Sequence, residues 1–174
     1  LGLEDLATAQ ARGATIYRES LGSASSQVAD KNFVADRRAA LRNVMTSALR
    51  DAGIQPSQVG HVNSHGLGTL TSDVEEAQAI GDVFGDDAER VPVVAAKSYF
   101  GNLGAGSGAV EAVTSMLALL HDALFPILNL ETPDPECRIR GVRSFGESPG
   151  NSFLNVNVNL QGQAAAVLVG RYQE

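Results

Sequence analysis

Three ionisable residues occupy positions where a sheet protein can place chemistry. His65 opens the run His65-Gly66-Leu67-Gly68-Thr69, directly after the short strand expected over 59–64. A histidine at the carboxyl end of a strand, followed by glycines that let a ligand approach the backbone, stands where open α/β sheets bind their ligands. The same position suits a histidine satisfied by structural hydrogen bonds, and the motif alone does not separate the two. Lys97-Ser98 closes the next apolar stretch, 92–96, and so reaches the same edge of the sheet. A lone lysine at a strand end is ordinarily solvated. Glu111 is the only charge in the segment 105–120, which is otherwise small or apolar. A buried carboxylate needs a partner or a proton, and Lys97 is the nearest plausible cation in chain order. Such a pair is either purely structural or tunes the site.

Other features carry less. The run from Gly101 to Ala109 contains Gly104-x-Gly106-x-x-Ala109, which formally fits a dinucleotide-binding fingerprint. Seven residues separate the strand from Gly104 where a tight turn is needed, and Asp122 ends the helix rather than a following strand. Glycines here fit close packing of a buried helix better. Cys137 lies in a loop with only Arg138 as a basic neighbour, so nothing local activates its thiol, and it reads as structural. His61 and His121 fall within a short strand and at a helix end.

The elements that must hold these residues follow from periodicity. Residues 5–13 read as a short linker helix and 14–17 as a strand; 22–36, small and polar, read as a loop. Leu41, Val44, Met45, Ala48, Leu49 and Ala52 fall at helical spacing over 38–52, and Gly53 ends that helix. A strand is expected over 59–64. Ser72 with Glu75 forms a capping box for a helix reaching about residue 84, and 92–96 is a buried strand. The segment 105–120 is a helix apolar on every side, too short to span a bilayer, so it belongs between layers of protein. A long loop passes Phe125-Pro126 and Thr132-Pro133-Asp134-Pro135. Strands over 153–160 and 164–172 then pair through a turn at Gln161-Gly162. This order predicts a mostly parallel α/β sheet with one antiparallel strand.

Composition narrows the partners. The 174 residues suffice for a core, and 44% hydrophobic against 19% charged residues describes a globular chain. A net charge of −7 argues against nucleic acid or an anionic membrane surface as the main partner. One cysteine makes neither an internal disulfide nor a thiolate metal site, and its scarcity fits a reducing, cytoplasmic compartment. Residues 1–10 carry Glu4 and Asp5 and no basic n-region, so they are not expected to be a signal peptide. The chain opens on Leu1, not Met, in a stretch resembling the end of a strand, so a fragment is expected.

Taken together, the motifs resemble the C-terminal half of a β-ketoacyl-acyl-carrier-protein synthase, a condensing enzyme of the thiolase fold. The resemblance rests on Ala11-Arg12-Gly13-Ala14, Asn63-Ser64-His65-Gly66 with Thr69 and Asp73, and the stretch 75–85. It continues through Lys97-Ser98, the stretch 101–111, and 129–137. It implies a thiolase-like half: a five-stranded mixed sheet with helices on both faces, and one helix, here 105–120, fully buried in the intact enzyme. Residues 1–13 would then link to a missing N-terminal half that carries the nucleophilic cysteine, and 14–174 would form the C-terminal domain. His65 matches the family's first histidine, Lys97 its lysine and Glu111 its buried glutamate. Asn102 stands where the second histidine is usual, Leu67 replaces a threonine, and the glycine-phenylalanine gate is rewritten across 155–162.

The implied reaction is a decarboxylative Claisen condensation of an acyl thioester with malonyl-carrier protein, in fatty-acid or polyketide synthesis. His65 and Asn102 would give hydrogen bonds to the thioester oxygen, while Lys97 and Glu111 orient His65. Phosphopantetheine would arrive on the acyl carrier protein, and no metal, redox cofactor or other resident cofactor is implied. The rival is a non-catalytic partner subunit of the same fold, like a chain-length factor. In an isolated half, one apolar face of the 105–120 helix needs cover, so a two-fold homodimer is expected.

Overall fold

The structure, a computed structural model, describes residues 2–172. Eleven elements are relevant to the site: α1 (Leu6–Ala11), β1 (Glu19–Gln27), α2 (Arg37–Ala52), β2 (His61–Asn63), α3 (Leu70–Phe84), β3 (Pro92–Val94), α4 (Lys97–Phe100), α5 (Ser107–His121), β4 (Arg140–Gly141), β5 (Ser152–Val158) and β6 (Gln163–Gly170). The strands form one sheet in the order β1-β6-β5-β2-β3-β4. β5, β2, β3 and β4 run parallel, and β6 runs against both of its neighbours, β5 and β1. The predicted single antiparallel strand is therefore β6.

The sheet has six strands, not five. The sixth is β4, whose two residues pair with Pro92 and Val93; a strand that short carries no periodicity to read. The expected strand at 14–17 is irregular, and Glu19–Gln27 within and beside the expected loop is β1. Its sequence, ESLGSASSQ, lacks apolar alternation because α2 crosses it closely and demands small residues. A Cβ on Gly22 would lie 2.5 Å from the Ala48 carbonyl oxygen. Leu1 and residues 173–174 of the expected segments lie outside the described residues, and 2–5 form no strand.

α2 forms because its apolar spacing presents one stripe to the sheet, leaving Ala40, Leu41, Val44, Met45, Ala48 and Leu49 buried. Asp36 caps it by accepting a hydrogen bond from the Ala39 amide at 2.8 Å, and Gly53 at φ 66° ends it. α3 begins earlier than the Ser72 cap predicted: Thr69 is its N-cap, and Ser72 is buried in the first turn. The turn is tied instead by the Asp73 carboxylate, which accepts from the Gly68 amide at 3.2 Å.

Strand β5 separates two layers by alternation. Leu154, Val156 and Val158 join Leu41, Val44 and Ile80 in the main core under α2 and α3. Phe153 packs with Leu119 of α5 on the opposite face. Asn155 and Asn157 also face α5, each donating a hydrogen bond to it. Within this chain α5 is covered on one side only: Ser107, Glu111, Ser115, Ala118 and Leu119 are buried, while Leu117 and Leu120 are about half exposed at 48% and 54%. The helix itself starts at Ser107, after a 3-10 turn over Gly104–Gly106.

Candidate active site

Parallel strands deliver their carboxyl ends to one edge, and this fold uses that edge. β2 runs into Ser64 and His65, and β3 runs through Ala95 and Ala96 into Lys97, the first residue of α4. α5 brings Glu111 against that edge from one face of the sheet, and β5 brings Asn157. The turn after His65 must be glycine: Gly66 has φ +47°, and a Cβ there would meet the Ala95 Cβ at 2.7 Å.

The Lys97 ammonium is at the centre of a closed cluster. It donates to a Glu111 carboxylate oxygen and, at 2.6 Å, to the His65 carbonyl. Its Nζ is 3.2 Å from His65 Nδ1. The two charged side chains are 3% and 0% exposed, so the ion pair predicted from Glu111's burial is real and almost dry. The second Glu111 oxygen accepts from Asn157 Nδ2 at 2.7 Å, and Asn157 Oδ1 lies 3.2 Å from His65 Nδ1. Burial, followed by the charge of Lys97, lowers the His65 pKa, while the Asn157 hydrogen bond works the other way. His65 therefore favours its neutral form.

Sequence reasoning missed two members of this site. Glu76 of α3 is buried and accepts from the His65 amide at 2.6 Å and the Gly66 amide at 2.9 Å, fixing the turn that carries the histidine. Burial pushes its carboxyl up to about 7, against the lowering effect of those two amides. Its neighbour Glu75, expected as the capping-box partner of Ser72, instead pairs with Arg37 at 2.6 Å. Asn157 is the other. Its signal was available: Asn155, Asn157 and Asn159 alternate with apolar residues along one strand, the pattern of a polar row on one sheet face.

Asn102 stands apart from the cluster. Its Oδ1 accepts from the Gly104 amide at 3.0 Å and the Ser107 hydroxyl at 3.1 Å, and it has no hydrogen bond to His65, Lys97 or Glu111. That leaves its amide hydrogens free of partners among the described residues. It borders a cavity of about 990 Å³ that His65, Leu67, Arg37 and Asn157 also line. A second cavity of about 510 Å³ lies on the other side of the His65 turn, lined by Gly66, Glu76, Lys97, Asn102 and Cys137. Burial, then the charges of Asp134, Asp73, Glu136 and Glu76, push the Cys137 thiol up, so it is a poor nucleophile there. Beneath α5, His61 is fully buried between the Pro149 carbonyl at 2.9 Å and the Ser115 hydroxyl at 3.0 Å, and burial lowers its pKa to about 4.

The arrangement offers a neutral imidazole and a free carboxamide to one cavity, with the charges held behind the imidazole. The free carboxamide suits a ligand that develops negative charge on an oxygen. Comparisons agree on the class of protein. Residues 17–131 match the family model "Beta-ketoacyl synthase, C-terminal domain". Among curated proteins, the chain is 42% identical over 137 residues to the 3-oxoacyl-acyl-carrier-protein synthase 2 of Synechocystis sp., covering 78% of this chain and 33% of that protein. It is 37% identical over 170 residues to the protein of the same name from Staphylococcus aureus, covering 97% of this chain and 42% of that one. The chain thus spans less than half the length of these relatives. Of the solved structures, the ishigamide ketosynthase/chain length factor superposes with a TM-score of 0.89 at 31% identity, over 98% of this chain and 42% of that one. A type II polyketide-synthase ketosynthase, solved with its acyl-carrier protein and bound to the hexaketide, gives a TM-score of 0.89 at 29% identity, over 98% and 42%.

Proposed function

Because the chain belongs to the β-ketoacyl synthase C-terminal domain family, we propose that the protein bearing it joins an acyl thioester to a malonyl thioester with loss of carbon dioxide. The observation that carries this reading is His65, held from behind by the buried Lys97–Glu111 pair and opening on the same cavity as Asn102. In a Claisen condensation, decarboxylation leaves a carbanion that attacks an acyl thioester, and negative charge collects on the thioester oxygen. Asn102 is a neutral donor suited to that oxygen, because its own carbonyl is already occupied by Gly104 and Ser107. Lys97 and Glu111 are positioning residues: Lys97 touches His65, and Glu111 holds both Lys97 and Asn157 against it. The acyl group's resting place is a cysteine outside this chain, since Cys137 is chemically unsuited to it.

The acyl and malonyl groups arrive on the phosphopantetheine arm of an acyl carrier protein, as the neighbour solved with such a protein suggests. The exposed Leu117 and Leu120 face of α5 is covered in the working protein, by the remainder of a two-half enzyme and a homodimer built on it. A cytoplasmic setting is part of the same reading; no helix among the described residues is long and apolar enough to cross a membrane.

The test is reconstitution. The full-length protein is incubated with an acyl-carrier thioester and malonyl-carrier protein, and the 3-oxoacyl product and released carbon dioxide are measured. Product is expected, with loss of about 10²-fold or more on Asn102→Ala, the scale of removing one oxyanion donor. Absence of both product and acyl-enzyme across donors of several chain lengths would sink the enzyme reading and favour the non-catalytic partner subunit.

A further inference from the structure

His65 Nδ1 has two neighbours that ask opposite things of it. Lys97 Nζ, a pure donor when charged, lies 3.2 Å away, and Asn157 Oδ1, a pure acceptor, also lies 3.2 Å away. The orientation of the Asn157 amide is not free. Its Nδ2 is 2.7 Å from Glu111 Oε2, and an ionised carboxylate only accepts, so the amide hydrogens must point there and the oxygen must point at the histidine. Turning the amide over would set its oxygen against the carboxylate inside the protein, an unpaired contact between two buried acceptors. Lys97, in contrast, has other acceptors for two of its three hydrogens, one on Glu111 and one on the His65 carbonyl, so only the third competes for Nδ1.

We infer that Asn157 is the tautomer-setting residue of this site: it holds His65 with its proton on Nδ1 and leaves Nε2 bare toward the cavity. His65 Nε2 has no hydrogen-bond partner among the described residues and is not a buried unpartnered atom, so it is the ring nitrogen that meets the cavity. A bare Nε2 accepts a hydrogen bond or a proton; it does not donate one. The work at the cavity is thereby divided. Asn102 is the neutral donor, and His65 is the acceptor for a thiol, hydroxyl or water of the occupant. The identity of that occupant rests on the condensation reading, whereas the tautomer does not.

The tautomer is read directly, without any assay of activity. In the nitrogen-labelled full-length protein, the long-range proton–nitrogen correlation pattern of His65 reports which ring nitrogen carries hydrogen. The expected pattern has Nδ1 protonated and Nε2 bare. In Asn157→Leu, only Lys97 faces Nδ1, and the proton moves to Nε2; losing one hydrogen bond of ordinary strength shifts the ratio by about fivefold. Lys97→Met, which keeps Asn157, retains the original pattern. A wild-type ring protonated on Nε2 overturns the inference, and that spectrum is sufficient even if the Leu variant fails to fold. An Asn157→Leu spectrum identical to wild type overturns it as well. Neither outcome depends on whether the protein condenses thioesters, so failure here and failure of the condensation reading are distinguishable.

Discussion

Replacing Lys97 by methionine removes one half of an ion pair that has almost no contact with water. The two side chains are 3% and 0% exposed, and Glu111 would keep a single hydrogen-bond donor, Asn157 Nδ2. The His65 carbonyl would lose its bond to the ammonium as well. Truncating one partner of a buried pair costs about 3–5 kcal/mol, because the remaining charge stays desolvated without compensation. For a chain of this size, that is a fall in Tm of roughly 6–20 °C. The informative comparison is Lys97→Met/Glu111→Gln, in which no charge is left behind and the Gln carbonyl oxygen can still accept from Asn157. The double variant should be more stable than the sum of the single losses predicts, with a coupling of about 2 kcal/mol. Thermal and urea unfolding of the full-length protein, followed by circular dichroism at neutral pH, give these numbers. If Lys97→Met lies within about 1 kcal/mol of the parent, or if the two single losses simply add, then the pair is not the buried, mutually dependent unit described here.

The pH dependence of stability carries two opposing contributions. Glu76, raised from 4.5 to about 7 by burial, binds its proton more tightly when folded, so its contribution is complete below about pH 4.5 and lost as the pH rises to about 7. His61, lowered from 6.5 to about 4, contributes stability above pH 6.5 that is lost as the pH falls toward 4. Each spans roughly 3 kcal/mol at most, so they largely cancel between pH 4.5 and 6.5. Glu76→Gln should remove the opposing slope, leaving stability that rises with pH toward about 6.5, as the lowered pKa of His61 and, in the same direction, that of His65 require; parallel profiles for parent and variant would refute the assignment. A backbone prediction concerns Gly150, at φ +68°, where a Cβ would sit 2.4 Å from Gly60 Cα. Gly150→Ala should cost about 1–3 kcal/mol in urea unfolding, through strain at the start of β5 where it meets β2. An unchanged midpoint would show that the crossing is not tight.

The amino-acid sequence determined a good deal. Apolar spacing located α2, the all-round apolar character of 105–120 marked α5, and strand ends followed by His65 and Lys97 pointed to a shared edge. Burying Glu111 among apolar residues required a cation, and Lys97 provides it. These readings succeed because periodicity and desolvation are properties that residues carry with them. What failed depended on neighbours far along the chain. β1 has no strand pattern because its small residues answer to α2 crossing it, and β4 exists only by pairing with β3. Glu76 sits eleven residues after His65, and only the turn of α3 back toward β2 directs its carboxylate onto the His65 and Gly66 amides. Asn157, 92 residues from His65, joins the site because β5 lies beside β2 in the sheet, an arrangement that no local pattern encodes. Tertiary structure alone decided the hydrogen-bond environment of the His65 ring, since it is set by the point where α5, β5 and α4 converge.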